Sequence, residues 1–177
     1  MAAPFTMNLV VNRLLLVGVA LLCSLQPTMA APAQDATFAV KLLAPETALA
    51  AAQVALQHCR KAGYQVSVAV VDRFGTMQVL LRDRFAGAHT VEFATQKAWT
   101  AASFKMATSA LAEQTQAGKP MSGMRTNARV MAAGGGQAIE AGGTLLGGIG
   151  VSGAPGGEAD DACALAGTHA IADAIEF

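Results

Sequence analysis

The chain has 177 residues, of which 53% are hydrophobic and 14% are charged, and its 12 Lys and Arg residues balance 12 Asp and Glu residues. This balance gives no reason to expect nucleic acid or an anionic membrane as a partner. The length fits one domain with a single hydrophobic core behind an N-terminal segment.

Residues 1–30 have the layout of a secretory signal peptide. Arg13 is the only charged residue among them, and an apolar run over residues 14–22 follows it. Small residues around Ala30 and Ala33 offer cleavage positions. The apolar run is short for a membrane span.

The expected organisation therefore has three parts: a signal peptide over residues 1–30, a short tail over 31–40 and one domain over 41–177. We expect the mature protein to be periplasmic or secreted, with no membrane span after cleavage. An uncleaved N-terminal anchor is the alternative.

The rest of the chain alternates between helical and extended patterns. Pro45 suits the start of a helix, and Gly63 suits its end. Gly75 marks the turn of a β-hairpin. We predict helices over residues 45–62, 89–104, 108–116 and 158–175, and strands over 64–72, 77–83, 129–131, 137–140 and 144–152. This order predicts an α+β domain, with helices packed on an antiparallel sheet of about five strands.

Two cysteines follow the N-terminal segment, Cys59 and Cys163. Each lies near the core side of a predicted helix. Outside the cytoplasm they could form one disulfide. Two unpaired buried thiols are the alternative, because cysteine is often a small core residue.

Glycines crowd residues 134–157, but the segment fits no nucleotide motif. It lacks the Lys-Ser/Thr ending of a phosphate loop, and the glycine pattern of "GIGVSG" lies inside a predicted strand. No Gly-x-Ser-x-Gly elbow and no zinc-type cysteine pairs are present. Glycines on a strand instead allow close approach of another backbone or of a flat ligand.

The central helix begins in "GAHTVEFATQKAWTA", residues 87–101, and has two apolar faces. One face carries small side chains that can pack close to the sheet: Val91, Ala94, Ala98, Ala101 and Ala102. The opposite face carries His89, Phe93, Thr100 and Phe104, with Lys97 at its edge. Each phenylalanine contributes roughly 2 kcal/mol if buried. Another subunit or a flat apolar ligand could cover them. The alternative is cover by residues 108–120, with His89 as a helix cap.

Two other histidines, His58 and His169, are expected at the solvated surface. His58 lies beside Arg60 and Lys61 at the polar end of the first helix. His169 lies near Asp173 on the closing helix.

Two blocks of this sequence resemble the hallmark blocks of the GlcG/HbpS haem-binding family. The more specific features are "KAWTA", residues 97–101, and "IGVSG", residues 149–153, with Asp160 and Asp161 downstream. The similarity extends from about Lys41 to the end of the chain. It implies a profilin-like α/β sandwich, association of subunits into dimers or larger assemblies, and haem or iron binding in some members. A related domain is fused to cobalamin adenosyltransferases.

The resemblance and the second face of the central helix together predict a non-covalent haem site. His89 would supply a nitrogen ligand to the iron, and Phe93 and Phe104 would contact the macrocycle. Lys97, or an arginine before the loop (Arg82, Arg84), would meet the propionates. The Thr100 hydroxyl is a further candidate ligand.

Three functions remain open from the sequence. The first is an extracytoplasmic protein that binds haem or a similar flat tetrapyrrole for storage, sensing or uptake. The second is an enzyme that degrades haem or transforms a small acid, with His89 as acid or base near Lys97. The third is an oligomeric sensor or scaffold without a small ligand, with Phe93 and Phe104 at a subunit interface.

Overall fold

The computed structural model describes residues 36–176. The expected signal peptide and most of the expected tail lie outside this range. The helices are α1 (Pro45–Lys61), α2 (Thr90–Phe104), α3 (Thr108–Gln114), α4 (Gly157–Ala170) and α5 (Ala172–Ile175), with a short 3₁₀ helix at Ser122–Thr126. The strands are β1 (Ser67–Asp72), β2 (Met77–Arg82), β3 (Gly136–Ala141) and β4 (Thr144–Ser152). None of the helices in this range is both long enough and apolar enough to span a membrane.

Within the described residues the strands form one sheet in the order β2-β1-β4-β3, and every neighbouring pair is antiparallel. The α+β class is therefore confirmed, with four strands instead of about five. The predicted strand over residues 129–131 is absent from this sheet. The backbone N–H of Met131 donates instead to Thr100 Oγ1 at 3.0 Å, so this segment is held by a helix side chain and not by a strand.

The closing helix is also shorter than predicted. α4 ends at Ala170, and the separate single turn of α5 follows Ile171. Ile171, at the junction of the two helices, is buried and belongs to the core.

Apolar side chains fill both faces of the sheet because successive residues of a strand point to opposite sides. On one face, Val68 and Val70 of β1 belong to the larger core with α1 and α4. On the other face, Ala69 and Val71 form a smaller cluster with alanines of α2.

A disulfide joins Cys59 of α1 to Cys163 of α4. The two helices lie on the same face of the sheet, and the Cα atoms of the two cysteines are 5.6 Å apart. This separation lies within the usual range for a disulfide. The structure thus has the bridged form and not the alternative of two unpaired buried thiols.

Helix α2 packs unusually close to β4. A Cβ added at Gly148 would lie 2.5 Å from the carbonyl oxygen of Ala98, and one added at Gly150 would collide with the carbonyl oxygen of Ala94. The glycines of β4 and the alanines of α2 thus form one close contact between strand and helix. This close packing fixes the direction in which the opposite face of α2 points.

Candidate functional site

A cleft of about 310 Å³ opens beside the N-terminal half of α2. Phe93 and Lys97 of α2 line it, together with His89 directly before the helix. The other walls come from residues 131–134 before β3, from residues 152–157, which run from the last residue of β4 to the first of α4, and from Asp160 of α4. The structure therefore brings three of the five predicted site residues together.

His89 lies at the mouth of the cleft, directly before α2. Its side chain is exposed and makes no capping hydrogen bond to the helix. Its ring meets the Phe93 ring edge-on, with centroids 5.4 Å apart and planes at 71°. The first turn is held instead by Thr90, whose hydroxyl donates to the carbonyl oxygen of Gly87 at 2.7 Å. The imidazole is thus not used as a helix cap.

Phe93 remains 40% exposed in the single chain. Within residues 36–176, the N-terminal half of the second face of α2 is therefore only partly covered. The exposure of Phe93 agrees with the sequence-based expectation that this ring is left uncovered in a single chain.

Lys97 differs from its expected position at the edge of an exposed face, because it is only 4% exposed. Its ammonium group forms an ion pair with Asp160 Oδ2 at 2.8 Å and donates to the carbonyl oxygen of Val151 at 2.9 Å. Burial raises the pKa of the Asp160 carboxyl, against the opposing effect of the hydrogen bond from Lys97. The charge of Lys97 is thus already balanced at the floor of the cleft.

Thr100 and Phe104 do not line the cleft. Thr100 is fully buried, and its hydroxyl accepts the hydrogen bond from Met131. Phe104 is half-buried at the end of α2. The segment around residues 128–131 lies against α2. Gln96 Nε2 donates to the carbonyl oxygen of Ala128, and the guanidinium of Arg129 lies 4.4 Å from the centre of the Trp99 ring.

The other cationic and imidazole candidates lie elsewhere. Arg82 donates a hydrogen bond to the carbonyl oxygen of Ala86, whereas Arg84 is exposed in the loop that leads to His89. His58 and His169 are exposed, as predicted, and do not line this cleft.

Asp160 of α4 also lines the cleft, and Asp161 is the next residue of that helix. Sequence reasoning used both aspartates only as part of a family pattern. Asp160 Oδ1 accepts a hydrogen bond from the backbone N–H of Ala154 at 3.0 Å. Asp161 Oδ1 accepts from the backbone N–H of Gly135 at 2.6 Å. The sequence signal that could have identified them is a pair of acids near the start of a helix that follows a glycine-rich loop, since such positions favour negative charge.

The donor set around the cleft fits a porphyrin-held iron better than a bare metal ion. In residues 36–176, no cluster of three or more His, Cys, Asp or Glu side chains could hold a metal. A haem needs only an axial ligand from the protein, because the macrocycle supplies the other iron ligands. His89 can supply one such ligand.

The chain belongs to the family described as "Haem degrading protein HbpS-like", whose model matches residues 43–169. This result confirms the family resemblance predicted from the two sequence blocks.

Solved structures of similar proteins share the fold. A double mutant of HbpS from Streptomyces reticuli has a TM-score of 0.73 and 35% identity, covering 79% of this chain and 94% of that one. The complex of PduOC with haem has a TM-score of 0.70 and 32% identity, covering 73% of this chain and 95% of that one.

Among curated proteins, the corrinoid adenosyltransferase PduO of Salmonella typhimurium is 35% identical over 103 residues, which are 57% of this chain and 31% of that protein. The chain thus matches about a third of the length of this relative.

Proposed function

We propose that this chain binds haem non-covalently, outside the cytoplasm, in the cleft beside α2. The observation that carries the proposal is the pairing of an exposed imidazole, His89, with a partly exposed phenyl ring, Phe93, at the mouth of that cleft. Family membership and the haem complex of the similar PduOC support it. Exchangeable binding suits storage, sensing or uptake of haem.

The role proposed for each side chain follows from how exposed that side chain is. A bound haem would supply an iron centre with open axial positions, and His89 would offer it a nitrogen. Phe93 would contact the macrocycle. Lys97 would stabilise the floor of the cleft through its ion pair with Asp160. Arg84 is the exposed cation nearest in sequence to His89 and the better candidate for a propionate.

The cleft volume bears on how much of the ligand one chain can cover. About 310 Å³ lies at the lower end of the range for small-molecule pockets. The cleft would therefore take part of the macrocycle, and the remaining surface needs a further cover. A second copy of the chain is the proposed cover, which links haem binding to assembly.

An absorbance titration of the mature protein with haemin tests the binding proposal. We expect a shifted Soret band that saturates near one haem per chain. Phe93→Ala should weaken binding with little change in the band position, because it removes a contact and not a ligand. Phe74→Ala is the matched control, since that ring is 66% exposed and lies outside the cleft. A wild-type spectrum that is only the sum of free haemin and protein would contradict the proposal.

Haem degradation is a second candidate, favoured by the description of the family. It requires the Soret band of the complex to decay under a reductant and oxygen, with release of a product. A band that persists in those conditions while haem stays bound supports binding alone.

Export and assembly are separate parts of the proposal. N-terminal sequencing of protein from fractionated cells should find a start near Ala31 or Gln34 outside the cytoplasm; an intact Met1 or Met7 in the cytosolic fraction would rule this out.

Light scattering should show at least a dimer at micromolar concentration. A monomer at that concentration would count against subunit cover of Phe93.

A further inference from the structure

Two successive carboxylates of α4 tie opposite walls of the cleft to one helix turn. Asp161 holds the wall before β3, because its Oδ1 accepts hydrogen bonds from Gly135 N at 2.6 Å and from Gln137 Nε2 at 3.1 Å. Asp160 holds the wall after β4 through the backbone N–H of Ala154 at 3.0 Å.

Asp160 also connects its wall to α2, the helix that carries Phe93 and begins directly after His89. Its second oxygen accepts from Lys97 at 2.8 Å, and Lys97 donates to the carbonyl oxygen of Val151 at the end of β4. Both charged side chains are only 5% exposed. One buried ion pair therefore links three elements that border the cleft.

Gly134 and Gly135 allow the two walls to pack together at backbone distance. A Cβ at Gly134 would lie 2.7 Å from the carbonyl oxygen of Gly157, across the cleft base. A Cβ at Gly135 would lie 2.8 Å from Lys97 Nζ and 2.7 Å from the Cβ of Asp160. The first wall thus packs directly against the ion pair, and each carboxylate is hydrogen-bonded to the backbone of one wall.

From this geometry we infer that Asp160 and Asp161 are positioning residues that set the separation of the two cleft walls and thereby the affinity of the cleft for a porphyrin. The inference rests on the proposed haem-binding function. Neither carboxylate needs to touch the ligand. Each acts through the backbone that it holds.

Asp160 should also make the cleft sensitive to pH. Burial raises the pKa of its carboxyl, so acidification removes its charge sooner than that of an exposed aspartate. The other titratable groups near the Asp160 carboxyl are Lys97 from α2 and Asp161 on α4, and His89 lies at the cleft mouth. Iron-free protoporphyrin IX is the suitable probe for pH work, because it removes any bond between iron and His89 from the comparison.

The experiment compares Asp160→Asn and Asp161→Ala with the control Glu158→Gln. Glu158 is an exposed acid in the first turn of the same helix and does not line the cleft. Porphyrin and haemin binding should weaken by about tenfold or more in both aspartate variants, as is typical when groups that orient a binding residue are removed. The control should bind like wild type. Acid weakening of protoporphyrin binding should be smaller in Asp160→Asn than in wild type.

Backbone amide exchange in the ligand-free protein gives an independent measurement. Asparagine at position 160 offers one acceptor oxygen in place of two, and the Lys97 ammonium takes it, so the N–H of Ala154 should exchange faster in Asp160→Asn. The N–H of Gly135 should exchange faster in Asp161→Ala, which removes its acceptor. Unchanged exchange, or faster exchange with wild-type porphyrin affinity, would overturn the inference. If Asp160→Asn does not fold because Lys97 loses its partner, Asp161→Ala decides the question, since its partners are uncharged. A wild-type protein that binds no haemin is a failure of the proposed function and removes the basis of the inference.

Discussion

Asp83 lies just after β2 and forms a two-point contact with Arg60 of α1. Its oxygens accept hydrogen bonds from Arg60 Nε at 2.7 Å and from the terminal nitrogen at 2.9 Å. The hydrogen bond from Arg60 is the main reason why the pKa of Asp83 lies below its ordinary value of 3.8. This pair ties the strand hairpin to α1, away from the cleft.

The lowered pKa of Asp83 predicts a pH-dependent contribution to stability. The contribution is complete above the unfolded-state pKa and is lost as the pH falls through the lowered folded-state pKa. Asp83→Asn should therefore lower the free energy of unfolding at neutral pH, and the difference from wild type should shrink as the pH falls below the ordinary aspartate pKa of 3.8. Urea unfolding at several pH values measures this. Asp173→Asn, at an exposed acid, is the control. A difference that is constant with pH would contradict the account.

At the scale of elements, the packing of α2 on β4 positions the cleft. The alanine face of α2 meets glycines of β4 at backbone distance, so the helix cannot rotate without a collision. The face with Phe93 therefore points away from the sheet, towards the two loops.

Gly150→Ala tests this close contact. The new methyl group would collide with the Ala94 carbonyl oxygen, so we expect a loss of about 1–3 kcal/mol or more in the free energy of unfolding. Gly123→Ala is the control, since a Cβ there meets no atom within 4 Å. Equal midpoints in urea unfolding for the two variants would show that α2 can shift at little cost.

Periodicity was sufficient for the main elements and for the small-residue face of α2, because these depend on local spacing. It failed where a residue distant in the chain determines the environment of a side chain. Thr100 looked exposed on the helix, but its hydroxyl is bound by Met131 from a loop thirty-one residues away. Lys97 looked like a cation for a ligand, but its partner Asp160 comes from another helix. Such contacts become visible only when the elements are assembled.

At the scale of the whole molecule, the Cys59–Cys163 disulfide joins residues 104 positions apart in the chain. It connects α1 and α4, which cover the same face of the sheet. A cross-link between distant positions stabilises mainly because it restricts the unfolded chain.

The oxidised protein should be more stable than the reduced one by about 2–4 kcal/mol. Urea unfolding with and without reductant measures the difference. The Cys59→Ala, Cys163→Ala double variant is the control and should not respond to reductant. Two free thiols found at these positions in the unfolded, unreduced mature protein would show that the bridge does not form.

The central claim is that His89 binds haem iron at the mouth of the cleft, and a haemin titration of His89→Ala tests it most directly. We expect weaker binding and a shifted Soret maximum, with a circular dichroism spectrum that matches wild type because this side chain is exposed. His58→Ala and His169→Ala, at exposed histidines outside the cleft, should behave like wild type. If His89→Ala binds haemin with wild-type affinity and an unchanged Soret maximum, His89 is not the iron ligand and the account is contradicted.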